Sequence, residues 1–244
     1  MFKKKGKMSI LAFALLVMMA VAPVANAMHV MEGFLPVSHC LLWGAVCIPF
    51  LVLGIRNIQK TLKDNRKTLT VLALTGAFVF VLSSLKIPSV TGSCSHMTGT
   101  GLGAILFGPC VTSVLGLIVL VFQAVLLAHG GLTTLGANCF SMAIAGPILA
   151  YFVYKILKGM NVNKKVTVFL AAFLGDLFTY CVTSVELAIA YPSEVGGFGA
   201  SLTKFLGIFA TTQVPLAIIE GILTVVIVIG LETYAKTELK CLEF

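Results

Sequence analysis

Gly101-Leu-Gly-Ala-Ile-Leu-Phe-Gly108-Pro109-Cys110-Val-Thr-Ser-Val-Leu-Gly-Leu-Ile-Val-Leu-Val-Phe-Gln-Ala-Val-Leu-Leu-Ala128 decides how this chain is threaded. The run is uninterrupted by charge, longer than the roughly 20 residues of one membrane crossing and too short for two. Gly108-Pro109 is a natural break, because proline removes a backbone donor and clashes with the preceding turn. The break predicts a short helix or re-entrant turn, then a longer helix from about Cys110 to Ala128. Charge downstream selects the same answer. A single crossing leaves Lys155, Lys158, Lys164 and Lys165 across the membrane from Arg56, Lys60, Lys63, Arg66 and Lys67. An even number puts both clusters on the cytoplasmic side, where basic loops accumulate.

Outward from that stretch the chain reads as a polytopic membrane protein. Of its 244 residues 59% are hydrophobic and 11% charged, against about a quarter charged in ordinary soluble domains. Upstream, apolar helices are predicted at about His39–Ile55 and Thr68–Leu85, and a Pro-, Gly- and Ser-containing loop covers Lys86–Thr100. Downstream they are predicted at about Ala137–Tyr154, Val166–Tyr191 and Leu202–Leu231. The expectation is an all-α bundle of seven membrane segments forming one domain over residues 28–244. Its C-terminus, with Lys236 and Lys240, is expected inside, and Lys86 and Lys204 outside. Ala73 and Ala77 form a small-xxx-small pair that permits close helix contact.

Residues 1–27 have the three parts of a signal peptide: Lys3 to Lys7, an apolar centre near Ile10–Val21, and Ala25-Asn26-Ala27. Removing them lowers the net charge from +8 to +4, and no basic stripe with interleaved aromatics points to nucleic acid. The seven cysteines are scattered and odd in number, so no disulfide framework is expected.

Cleavage after Ala27 makes Met28-His29-Val30-Met31-Glu32-Gly33-Phe34-Leu35-Pro36 the mature start. A terminal amine, the His29 amide nitrogen and its imidazole close two fused chelate rings on one cation. His96, in the loop facing the same side, adds a further imidazole, and nitrogen donors suit first-row transition metals. Cys94, Ser95, His129 and Glu32 are expected around this centre, with His39 and His129 in supporting or packing roles. Asp176, Glu186 and Glu220 sit within apolar helices, where an ionisable group serves function or finds a local partner such as Thr179 or Thr183. Two other readings stay open: an intramembrane metalloenzyme, for which Glu32 is the only nearby outer carboxylate, and a passive channel, against which stands the lack of a charged ring. No Gly-x-x-x-x-Gly-Lys-Ser/Thr loop is present to hold ATP, no catalytic residue is assigned, and no resident cofactor is expected.

Met28–Pro36, Ile87-Pro-Ser-Val-Thr-Gly-Ser-Cys-Ser-His-Met-Thr-Gly-Thr-Gly-Leu-Gly103 and Leu127-Ala-His-Gly-Gly-Leu-Thr-Thr-Leu-Gly-Ala-Asn138 carry a family resemblance. The chain resembles, over essentially its whole mature length, the CbiM-type substrate-capture component of cobalt energy-coupling-factor transporters. The resemblance implies that the mature N-terminus folds back into the bundle. It implies that the ion is held by the amine of Met28, the backbone nitrogen and imidazole of His29, and the imidazole of His96. It further implies Co2+ as cargo, with Ni2+ in nickel-specific relatives, and import that supports cobalamin synthesis. The implied partners are a transmembrane coupling subunit, a cytoplasmic ATPase pair and a small accessory membrane subunit. Met97 departs from the proline usual at that position.

Overall fold

The computed structural model describes residues 30–85, 87–88, 94–240 and 242. The predicted signal segment and the predicted ligands Met28 and His29 lie outside the described residues.

Helix α1 spans Val37–Asp64, α2 Thr68–Ser84, α3 Thr100–Phe107, α4 Pro109–Leu127, α5 Leu135–Gly159, α6 Lys164–Ala190, α7 Gly197–Tyr234 and α8 Lys236–Lys240. Five of these, α1 and α4 to α7, are long and apolar enough to cross a membrane by length and composition, and α2 is a shorter apolar helix of 17 residues. α3 has 8 residues, about 12 Å of helix, so it cannot cross a bilayer unaided. The predicted loop before it contains one strand pair, β1 Ile87–Pro88 against β2 Cys94–Ser95, antiparallel with Ile87 opposite Ser95.

Local chemistry sets the boundaries. α1 runs past the predicted end at Ile55 because Gln59, Lys60, Leu62 and Lys63 are good helix formers. It stops at Asn65, whose Oδ1 accepts the Lys67 N–H at 3.0 Å. Pro109 opens α4 at a position where its missing N–H costs nothing. α6 starts on Asn163, which caps the Lys165 N–H at 2.9 Å. Within α5, Cys139–Ala145 is wound as a π-helix.

α3 is the hub. It touches α2, α4, α5, α6 and α7, and every residue from Thr100 to Leu106 is buried. Its glycines make that fit possible. A Cβ on Gly101 would stand 2.9 Å from the Ala172 Cα of α6, and one on Gly103 2.9 Å from the Thr112 hydroxyl of α4. Gly99 (φ +69) and Gly108 (φ +83) bound the helix in the left-handed region that favours glycine. Leu102, Ile105 and Leu106 then pack with Val71, Val168 and Val228 into one apolar cluster. Since lipid is as apolar as leucine, this close packing, rather than escape from water, holds the helices together. α1 is far less embedded: only Cys47 and Gly54 are buried. Ala73 and Ala77 line an open apolar groove between α2 and α4.

The basic residues after α1 and after α5 gather at one end. Phe107 and Leu242 line a cavity with Tyr154, Lys155 and Lys158, and an adjoining one with Lys60 and Asp64. Lys164 pairs with Glu232 at 2.6 Å. The basic groups after α1 and after α5 therefore share an end, as an even number of passes through residues 101–128 requires.

Candidate metal centre

His96 follows β2 and is 1% exposed. Its carbonyl accepts the Tyr180 hydroxyl of α6 at 2.5 Å and the Gln213 Nε2 of α7 at 3.2 Å. Its Nδ1 lies 2.9 Å from the Met97 carbonyl, which fixes the proton on Nδ1 and the lone pair on Nε2. Met97, the departure from the usual pattern, fits an apolar pocket with Leu82 and Leu216.

His129 reaches the same place from the other side. The α4 helix ends on Ala128 at φ +46, and the His129 N–H closes back on the Gln123 carbonyl at 3.1 Å. This turn carries the buried His129 ring to 5.0 Å from the His96 ring, edge to face.

Val30 is the first described residue and is 2% exposed. Its N–H donates to Asn138 Oδ1 at 2.8 Å. Its carbonyl accepts from Thr134 Oγ1 at 2.5 Å and Asn138 Nδ2 at 3.1 Å. The Val30 side chain packs with Tyr180, Leu187 and Phe209, so the residue after His29 shares a wall with the His96 loop.

The remaining predicted residues take lesser parts. Glu32 is exposed at the rim, where its carboxylate accepts the Thr133 N–H at 3.2 Å while the Gly33 N–H donates to Thr133 Oγ1 at 3.1 Å. Those hydrogen bonds from Thr133 hold its carboxyl below the usual carboxylate range. Ser95 bonds the Thr212 hydroxyl. Cys94 pairs through its backbone with Pro88. His39, partly exposed, has Ser38 Oγ near its Nδ1 at 3.4 Å.

The membrane carboxyls divide. Glu220 accepts the Thr98 N–H at 2.6 Å and Thr98 Oγ1 at 3.1 Å, and Asp176 Oδ2 accepts Gln213 Nε2 at 2.5 Å. Glu186 is fully buried with neither oxygen hydrogen-bonded. The expectation that Thr179 or Thr183 would satisfy these groups is not met. Their hydroxyls turn back to the Gly175 and Thr179 carbonyls at 3.1 and 3.0 Å, as is common for threonine inside a helix. Sequence reasoning passed over Asn138, Tyr180 and Gln213. Gln213 carried a readable signal, a primary amide inside an apolar run.

Among the described residues no three His, Cys, Asp or Glu side chains gather where one ion could be held. The described centre thus offers the buried His96 imidazole with the His129 ring beside it.

The family model described as "Cobalt uptake substrate-specific transmembrane region" (CbiM) matches residues 29–237. A cobalt transport protein CbiM of Lachnoclostridium phytofermentans is 65% identical over 98% of this chain and 96% of its own length. One of Chlorobium limicola is 60% identical over 91% of this chain and 88% of its own. The fold is similar to a crystallised truncated transition metal transporter, with TM-score 0.73 and 25% identity, covering 84% of this chain and 99% of that one. A further transition metal transporter structure aligns with TM-score 0.72 and 26% identity, over 84% and 92% respectively.

Proposed function

The chain belongs to the CbiM family of cobalt uptake substrate-specific transmembrane proteins, and from that premise we propose that it captures Co2+ at the outer face for ATP-driven import serving cobalamin synthesis. The relatives are named as cobalt transport proteins and not as enzymes, and this chain is a multi-pass membrane transporter component. The ion is taken by the amine of Met28, the backbone nitrogen and imidazole of His29, and the imidazole of His96, after removal of residues 1–27. His129, Ser95, Cys94 and Glu32 surround the centre.

The observation that carries this reading is the anchorage of Val30. Asn138 and Thr134 hold both backbone groups of the residue next to His29, in the cluster containing the tyrosine that fixes the His96 carbonyl. A buried backbone group is costly unless bonded, so this anchor is a strong reason for the chain to enter here. Amine and amide nitrogens with imidazole suit a late first-row ion, and Ni2+ fits the same donors by geometry. The choice of cobalt rests on the family.

The threading in this reading comprises seven segments, with α3 as the re-entrant one, the mature N-terminus outside and the basic end cytoplasmic. Its support is the collection of Lys60, Lys155, Lys158 and Lys164 at one end. ATP is hydrolysed elsewhere, by a cytoplasmic ATPase pair acting through a transmembrane coupling subunit, with a small accessory membrane subunit.

The test is N-terminal sequencing of the membrane-purified protein together with its metal content. The expected result is a start at Met28 and about one tightly held Co2+ per chain that survives purification, with that tight ion lost in His29→Ala and in His96→Ala. A start at Met1 with metal still bound overturns the terminal-chelate mechanism.

A further inference from the structure

The His96 carbonyl faces a second group of polar side chains. Tyr180 and Gln213 bind that carbonyl, and the same Gln213 Nε2 lies 2.5 Å from Asp176 Oδ2. Glu220, about two turns further along α7, binds Thr98 beside the start of α3, and its carboxyl interacts directly with that of Asp176. The group is thus contributed by α6, by α7 and by the extended residues leading into α3.

Its composition is unbalanced. Asp176, Glu220 and Gln213 are all at most 1% exposed. The acceptors are four carboxyl oxygens, the Gln213 amide oxygen and the His96 carbonyl. The donors found for them are the Thr98 N–H and hydroxyl, the Gly99 N–H, the Gln213 amide and the Tyr180 hydroxyl. Among the described residues Asp176 Oδ1 and Gln213 Oε1 have no hydrogen-bond partner, and no ion pair reaches either carboxyl. The Gln213 amide cannot be flipped to relieve this, since both of its Nε2 contacts are to acceptors and reversal would set oxygen against oxygen. A buried surplus of oxygen acceptors is costly, and it is relieved either by a proton shared between the two carboxyls or by a cation that replaces it.

We propose that Asp176, Glu220 and the Gln213 amide oxygen form a second, oxygen-donor station for the transported divalent cation, one amide group away from the nitrogen-donor centre at His96. The proposal rests on the capture reading above. His96 belongs to both places, offering its ring to the first and its carbonyl to the second. Binding releases any proton that the two carboxyls share, leaving the ion neutralised by two carboxylates. Carboxylate and carbonyl ligands hold a first-row divalent ion less tightly than imidazole and amine nitrogens do, so the lower station suits an ion in transit. Ion sites at breaks in transmembrane helices, where unwound backbone and charged side chains meet, are common in transporters.

The experiment uses the purified full chain in lipid nanodiscs and Co2+ alone as the probe, counting bound metal by equilibrium dialysis. His96→Ala is expected to lower the affinity of the first ion by tenfold or more yet to retain about one weaker Co2+ per chain. X-ray absorption of that residual ion should show oxygen ligands without imidazole. Adding Asp176→Asn or Glu220→Gln to His96→Ala should weaken the residual ion by about tenfold. Loss of all binding in His96→Ala, imidazole around the residual ion, or indifference to both carboxyl substitutions would each overturn the second station. The X-ray measurement needs neither carboxyl variant, so a misfolded variant does not remove the test. First-ion affinity unchanged in His96→Ala would instead overturn the capture reading itself.

Discussion

At the scale of single residues the decisive groups are those that hold backbone. The Asn138 side-chain amide holds Val30 at both backbone groups, accepting from its N–H and donating to its carbonyl. Asn138→Ala strands the buried Val30 N–H while Thr134 still donates to the carbonyl, at about 1–3 kcal/mol for one stranded backbone group. Co2+ affinity should therefore fall by about tenfold to a hundredfold with the helical circular dichroism unchanged, as titration of the purified variant can check. Tyr180→Phe removes one of two donors to the His96 carbonyl and should weaken binding less, by about fivefold, because Gln213 remains. Glu32 acts at the rim and is sensitive to acid. Its carboxyl is held low by the Thr133 bonds, so the clamp is complete above the ordinary carboxylate pKa and is lost as pH falls through the lowered value. Hydrogen exchange at the Thr133 amide should accelerate over that acid range relative to its intrinsic rate, and Glu32→Gln should remove the transition. His96 was legible in the sequence because a histidine among small polar residues stands out. Asn138 was not, because an asparagine near a helix start is ordinary until its partner is known.

At the scale of elements, α3 shows what a local signal can and cannot give. The break at Gly108-Pro109 is visible in sequence because both residues punish a continuous helix. That the eight residues before it form the centre of the bundle is not visible, since an apolar run reads alike whether lipid or protein surrounds it. The glycines of α3 are contact surfaces. Gly101→Ala places a methyl against Ala172 and should destabilise by about 1–3 kcal/mol, lowering the thermal midpoint in detergent. Gly207→Ala in α7, where no atom lies within 4 Å, should be neutral or stabilise by up to about 1 kcal/mol in the same assay. The π-helical stretch of α5 likewise escaped sequence reasoning, which registers period but not a single inserted residue. It follows directly on Asn138, so the anchor of Val30 and the irregular winding are neighbours.

At the scale of the whole molecule, the gathering of the basic groups after α1 and after α5 at one end was the most legible property, because charge placement is a global signal that local packing does not disturb. Cysteines introduced at Leu132 and at Lys158 should react with a membrane-impermeant maleimide from opposite faces, Leu132 in intact cells and Lys158 only in inverted vesicles. The polar interior was the least legible, since it depends on which helices face one another. α7 adds a property that concerns the surrounding lipid as much as the protein. Its 38 residues amount to about 57 Å of helix, nearly twice the roughly 30 Å of a hydrocarbon core. Gln213, Pro215 and Glu220 all lie on it, and Glu232 fastens its far end to α6 through Lys164. Such a helix settles its excess length by leaning, and the lean changes with acyl-chain length. Bilayer thickness thereby becomes a mechanical input that shifts Gln213 against Asp176, so the same sequence should pass its ion at different rates in short-chain and long-chain membranes.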